Sequence, residues 1–476
     1  MIKRRKFIQD FSWLTGGILL SSHLPATDIR FNDALKGKVT ARGKGISGVV
    51  ISDGYSVMVT DKKGRFEFVP HPDAVSVFMS TPSGYAFRSE RNIARHYKHL
   101  KQLSFKKGLH FELTPLDRND DEHQFFIWAD PQVKNAKDVE KMMNHSVPDV
   151  QQWVKAAGKD ALLHGITVGD IVWDELSLFA DYDRAVDKMG IPFFQCIGNH
   201  DMDYNKGGDE ASDDTFQANY GPTCYSFNRG KVHYVVMDNV RYLGKDREYD
   251  GFFQLHQLEW LKKDLSFVPE DRLIIFCVHI PVHNGVKNNK DLYEILGNRP
   301  VHIMSGHTHY HRNVINGNIY EHNHGTVCGA WWTGPVCGDG TPCGYGIYKV
   351  KGTELSWRYQ STGEQEDHQL KIFVNDLSST EKQVLVNIWN HDPEWKTSYA
   401  VDGEVKGALE QIEGFDPYAY KTLLGPDLPK PRGFAEPRKT DHLFQALVPS
   451  GAKQIQVTAT DRFGRAYTVT HKISVG

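Results

Sequence analysis

Five apolar runs in the middle of this chain each end on a side chain of a type that can bind metal. Run 125–129 ends at Asp130, run 162–169 at Asp170, run 193–198 at Asn199, run 273–278 at His279, and run 301–306 at His307 with His309 two residues on. Short apolar runs separated by amphipathic stretches are the pattern of a layered α/β core with buried strands. One intervening helix is legible at 176–189, where Leu176, Phe179, Tyr182, Val186 and Met189 recur at helical spacing and Gly190 follows as a stop. In such folds ligands gather outside the carboxyl ends of the strands. Carboxylates and imidazoles do not fit the dry faces of a sheet, so all five terminators are expected at one rim.

Two aspartates, an asparagine and three histidines form a mixed oxygen and imidazole set. It suits a pair of divalent ions such as Mn, Fe, Zn or Ni better than Ca or Mg alone. Two ions roughly 3.5–4 Å apart hold a bridging hydroxide and clamp both oxygens of an in-line displacement, provided one carboxylate bridges them. The chain carries 56 Lys plus Arg against 59 Asp plus Glu, a net charge of −3. No basic field exists to hold nucleic acid, and none is expected as a partner.

The blocks Asp130-x-Gln132, Gly169-Asp170, Gly198-Asn199-His200-Asp201, Val278-His279 and Gly306-His307-Thr308-His309 resemble the calcineurin-like metallophosphoesterase family, in that family's order. The resemblance implies an α/β fold with a four-layer core, two β-sheets between helices. It also implies two divalent metal ions and a phosphate mono- or diester substrate. Carried over by position, Asp130, Asp170 and His309 hold the first metal; Asp170 bridges; Asn199, His279 and His307 complete the second. His200 is then no ligand but faces the phosphoryl group as an acid or electrostatic catalyst, with Asp201 either orienting it or capping a turn. Two departures stand out. Gln132 occupies a position usually held by histidine, so its carbonyl is a weaker ligand and the first site is expected to be looser. Asp174 lies one residue beyond the family's Gly-Asp-x-x-Asp spacing, which puts a supporting role for it in doubt. The rival reading is a catalytically impaired member acting as a surface glycan- or protein-binding module, and Gln132 is its only support. Monoester and diester activity are not separable at this level.

The flanks have a different grammar. Residues 27–117 read as short strands and glycine turns resembling a prealbumin-like β-sandwich, with Asp53 and Asp61 as turn-formers; 118–362 is the catalytic domain; 363–476 reads as a second sandwich without helices, containing an extended loop at 425–433. Such flanking modules resemble those of an exported bacterial branch of the family. Residues 2–6 are basic and 11–20 apolar, half the length of a membrane span, so 1–26 is expected to be a signal peptide. Arg4-Arg5 before Phe7-Ile8 resembles a twin-arginine signal, implying a periplasmic or otherwise exported protein with no membrane span after cleavage. Oligomeric state is not legible. Within the catalytic domain, Trp331 and Trp332 follow an expected strand at 326–330, which puts one of them against substrate. Asn239 is a candidate phosphate contact. His322 and His324 share a strand face, suited to packing or a substrate hydrogen bond. Cys337 and Cys343 flank a tight loop, as free thiols or, in an oxidising compartment, as a bridge.

Overall fold

The computed structural model describes residues 33–424 and 435–473. The expected signal segment 1–26 and the loop 425–433 lie outside the described residues. Two mixed sheets form the centre of the molecule. The first runs Glu354–Ser361, Gly344–Lys351, Glu122–Trp128, Leu163–Val168, Phe193–Cys196, Ile93–Ala94, Ser89–Glu90. The second runs Tyr225–Arg229, Val232–Val236, Leu273–Cys277, Val301–Ser305, Ile319–Asn323, Arg312–Asn316. The strands that end at the candidate ligands are parallel neighbours within each sheet. Their carboxyl ends therefore lie together.

Aromatic side chains zip the two sheets face to face. Phe194 stacks on Phe227 at 3.8 Å and Phe227 on Tyr234 at 4.7 Å, while Phe125 meets Tyr234 edge-on. Helices Val147–Ala157 and Phe179–Met189 connect strands of the first sheet; Leu255–Leu265 and Asn289–Leu296 connect strands of the second. The second of these helices buries Phe179, Tyr182, Ala185, Val186 and Met189 and ends at Gly190, whose φ of 79° is the left-handed stop that glycine adopts without a Cβ clash. No helix among the described residues is long and apolar enough to cross a membrane.

The N-terminal sandwich does not stop where its sequence grammar stops. Its own core holds Leu35, Val39, Ile51 and Phe111, and Asp53 and Asp61 cap its turns by accepting backbone N–H groups. Yet Ile93 pairs with Phe193 in the first central sheet, and Phe78, Phe87 and Tyr97 belong to the core around the two central sheets. Phe87 wedges edge-on among His164, Phe194 and Phe227, and Trp260 Nε1 donates to Ser52 Oγ across the boundary at 3.0 Å. A fragment of residues 118–362 exposes that apolar seam. It is expected to aggregate on size-exclusion chromatography while a chain of residues 33–476 elutes cleanly; a monodisperse, cooperatively melting fragment would show that the seam is dispensable.

The C-terminal module is two four-stranded sheets around Val384, Val386, Trp395, Ile455 and Val457. The helix-free expectation fails here, because Pro417–Leu424 is a helix. Its start signal is in the sequence: Pro417 sits at the first position and Asp416 Oδ1 accepts from Ala419 N at 2.7 Å. Its Ala419 and Leu423 pack against Ala330 and Val336 of the catalytic domain.

Two core histidines make the fold acid-sensitive. His96 and His164 are buried with no hydrogen-bond partner on either ring nitrogen. Burial pushes His96 down to about 3 and His164 well below the usual range. Both are neutral when folded but take up a proton when unfolded below about pH 6.5, so stability is present above that pH and is lost as pH falls toward 3. The slope approaches about 1.4 kcal/mol per pH unit for each histidine. The melting temperature should drop between pH 7 and 5; a constant value would contradict the assignment.

Candidate metal centre

Each candidate side chain arrives where a strand ends and the backbone turns sharply. Asp130, Gln132, Asp170, His307 and His309 all adopt left-handed backbone, with φ between 40° and 71°. Non-glycine residues hold that conformation at a cost of order 1–3 kcal/mol, so the surrounding packing must enforce it. Two glycines make the approach possible. A Cβ on Gly198 would lie 2.3 Å from Asp170 Oδ1, and one on Gly306 would lie 2.3 Å from Asp130 Oδ2.

The polar atoms converge on one rim. His279 Nε2 lies 3.0 Å from Asn199 Oδ1, 3.1 Å from His307 Nδ1 and 3.3 Å from Asp170 Oδ1. Asp130 accepts from His307 N and faces His309 Nε2 at 3.5 Å. His279 Nδ1 is 2.9 Å from the Val168 carbonyl and His309 Nδ1 is 2.6 Å from the Gly329 carbonyl. A carbonyl only accepts, so both Nδ1 atoms carry the proton and both Nε2 lone pairs point into the cluster, the tautomer a metal requires. Asp170, His279 and His307 place ligand atoms within 4.8 Å of one another. This donor set fits divalent ions.

Without an ion, the cluster polarises its own protons. Burial disfavours charge on Asp170, but the adjacent His279 and His200 carry its carboxyl well below the usual range. His279 is opposed by burial yet raised to about 9, chiefly by Asp170. His307 falls to about 3 through burial and the neighbouring His279. The Asp170 and His279 shifts run against burial because carboxylate and imidazole face each other at 3.3 Å.

Four neighbouring residues take definite places. Asp201 does not orient His200: its carboxylate accepts from Ile171, Val172 and Gly198 N–H and is a cap. Asp174 does that work, lying 2.8 Å from His200 Nδ1 while Arg247 holds its other oxygen at 2.7 Å. Asp174 reaches inward because its backbone, too, is left-handed at φ 60°, which spacing alone does not disclose. Asn239 cannot meet phosphate. It is fully buried, with its amide spent on the backbone N–H and carbonyl of Ile280. Gln132 turns its amide nitrogen, at 3.1 Å, toward Asp170 Oδ2, and its oxygen lies 3.9 Å from Cys328 Sγ. In that pose its amide braces Asp170.

Comparison with known families decides the lineage. A calcineurin-like phosphoesterase domain matches residues 115–311, the N-terminal domain of calcineurin-like phosphoesterases matches 33–116, and their C-terminal domain matches 321–467. The chain belongs to the calcineurin-like phosphoesterase family. Membership in this phosphoesterase family implies divalent metal ions as cofactors. A comparison with curated proteins finds no match. Among solved structures, a dimetal phosphatase from Danio rerio is similar at 14% identity and a TM-score of 0.38, covering 50% of this chain and 97% of its own. A purple acid phosphatase from yellow lupin (Lupinus luteus) seeds is similar at 12% identity and a TM-score of 0.32, covering 79% and 69% respectively.

In this family member the loop after the second sheet differs from expectation. Residues 326–330 form turns rather than a strand, because Val327 N and Cys328 N bond back to the carbonyls of Ala129 and Asp130, and Gly329 takes φ 58°. Trp332 is buried, its indole N–H donating to Pro131 O at 2.9 Å, so it anchors the loop rather than meeting substrate. Trp331 lines the cleft and stacks on His309 at 4.2 Å. His322 and His324 are packing residues: His322 Nε2 meets His302 Nδ1, and His324 meets Ser305 O and Tyr348 Oη. Cys337 and Cys343 are unbridged. The C-terminal module reaches the site directly. Arg438 N donates to Gly338 O, Gly338 N donates to His309 O, and His442 Nε2 lies 2.9 Å from Asp339 Oδ2 in the same loop.

Proposed function

We propose that this chain is an exported, dinuclear metal-dependent phosphoesterase acting on a phosphate mono- or diester. The observation that carries the reading is the pair of imidazoles, His279 and His309, turned by carbonyl acceptors so that both Nε2 atoms face buried carboxylates at the same strand-end rim. Asp130, Asp170 and His309 would hold the first ion, and Asp170, Asn199, His279 and His307 the second. Divalent ions so held supply Lewis acidity toward phosphoryl oxygens and acidify water at neutral pH.

The chain supplies the rest. His200 borders the cleft beside the cluster, and Asp174 fixes its ring by accepting from Nδ1. Burial alone would lower the His200 pKa, but Asp170 and Asp174 raise it above the ordinary value. A ring held in this way can steady charge on the phosphoryl group and, when protonated, can give its proton to the departing oxygen. Arg247 pairs with the other oxygen of Asp174 at 2.7 Å and so aligns it. Export rests on the basic 2–6 and apolar 11–20 segments.

The test is hydrolysis of p-nitrophenyl phosphate and bis(p-nitrophenyl) phosphate by the Mn-loaded protein. Turnover of at least one is expected, and the ratio of the two rates assigns mono- or diesterase character. Two bound metals with no turnover of either would favour the impaired, binding-only reading.

A further inference from the structure

Two tyrosines line the cleft above the candidate metal centre, and their hydroxyls are differently employed. Tyr204 Oη donates to the Asn199 carbonyl and so braces the turn that carries a candidate ligand. Tyr249 is half-buried, and its hydroxyl makes no hydrogen bond among the described residues. Its ring stands edge-on to His307, with centroids 5.9 Å and planes 83° apart. Burial, and after it the carboxylates of Asp170 and Asp130, push the phenol up to about 12, so the hydroxyl lies within electrostatic reach of both halves of the cluster.

Strand alternation puts Tyr249 there. Val240–Tyr242 and Tyr249–Gly251 form a two-stranded hairpin in which Tyr249 pairs with Tyr242. Successive side chains of a strand leave on opposite faces. Asp250 is clamped by Arg241 through two contacts at 2.8 and 2.6 Å and by Lys287 at 2.7 Å. Its neighbour Tyr249 is therefore turned the other way, onto His307. The hairpin is also tied at its end, where Lys287 N donates to the Gly251 carbonyl and Phe252 N to the Asn239 carbonyl. A Cβ on Gly251 would lie 2.1 Å from the Gly285 carbonyl oxygen, so only glycine lets the hairpin sit this close to the segment that follows His279.

We propose that Tyr249 is a further catalytic residue, whose phenolic O–H donates a hydrogen bond to a non-bridging oxygen of the substrate's phosphoryl group. This rests on the phosphoesterase reading and deepens it. His200 and Tyr249 then serve different oxygens. His200, held by Asp174, serves the departing one, and Tyr249, against His307, meets the charge that grows on the phosphoryl group. No group among the described residues is placed to return a proton to Tyr249, so it binds rather than transfers. A donor already aimed where charge develops needs no reorganisation during the reaction. Losing one hydrogen bond to a charged group corresponds to roughly 10- to 100-fold in kcat.

The experiment compares full-length, Mn-loaded parent and Tyr249→Phe, which keeps the ring on His307 and removes only the hydroxyl. Metal content is measured on both and should match. On p-nitrophenyl and alkyl esters of whichever class the parent turns over, kcat should fall roughly 10- to 100-fold, by the same factor on each. The non-bridging oxygens are common to all these esters, whereas loss of an acid discriminates between their leaving groups. Orthovanadate, which presents the same oxygens without a leaving group, should bind the variant about 10-fold or more weakly by isothermal titration calorimetry. Unchanged kcat or unchanged vanadate affinity overturns the assignment. A loss confined to poor leaving groups also overturns it, making Tyr249 an acid, and a loss of metal makes it a support of His307 instead. A parent that holds two metals and hydrolyses none of the esters overturns the phosphoesterase reading beneath it.

Discussion

Asp170→Ala is expected to yield a folded protein that carries fewer than two metal ions and has lost at least about 10³-fold in kcat/KM. The reasoning starts from position. Asp170 is the carboxylate that touches both halves of the cluster: Oδ1 accepts from His200 N and faces His279, and Oδ2 accepts from Gln132. Asp130, by contrast, faces His307 N and His309 from the other side. Removing Asp170 therefore takes negative charge from both candidate ion sites at once. Two ions clamping an in-line displacement supply several kcal/mol of transition-state stabilisation, and about 4 kcal/mol corresponds to 10³-fold. Folding should survive, because the deletion relieves a buried charge and leaves the Gly198 and His200 turn held by Asp201. Metal analysis alongside kinetics decides the matter. Two ions per chain in the variant would remove Asp170 from the centre.

His200→Ala should behave differently, keeping its metals while kcat falls by roughly 10²–10⁴-fold, the usual contribution of acid catalysis. His200 follows Asn199 in a 3₁₀ turn, yet its ring turns away from the cluster to pair with Asp174 and Trp173. No contact places it among the atoms around His279 Nε2. The defect should shrink as the leaving group becomes more acidic, because p-nitrophenolate departs without a proton and an alkoxide does not. Asp174→Asn should show the same dependence at smaller size, since Asp170, the larger influence raising His200, remains while the Asp174 charge is lost and the ring itself is kept. Equal losses on good and poor leaving groups, or metal loss matching that of Asn199→Ala, would instead make His200 a prop or a ligand.

The convergence of these side chains was legible because it is written in local pattern. Apolar runs fix where strands stop, parallel strands stop at one rim, and the residues at those stops are therefore neighbours whatever the loops do. Asp130, Asp170, Asn199, His279, His307 and His309 come together for that reason. The helix expected over 176–189 was legible on the same ground from Phe179 to its glycine stop, while Leu176–Leu178 forms a 3₁₀ turn. What spacing could not disclose was direction. Asp174 rather than Asp201 serves His200, and Trp331 rather than Trp332 faces the cleft, because left-handed turns at those positions re-aim side chains that a regular strand or loop would send elsewhere. Asn239 follows a strand just as the other candidates do, but its amide is consumed by Ile280, a partner 41 residues away. The boundaries between modules were equally hidden. Ile93 completes a sheet whose other strands lie elsewhere in the chain, and the helix Pro417–Leu424 closes against the tryptophan loop. Local sequence determines which groups a strand delivers to its end; only packing between distant segments determines which way each group points and which of them is already spoken for.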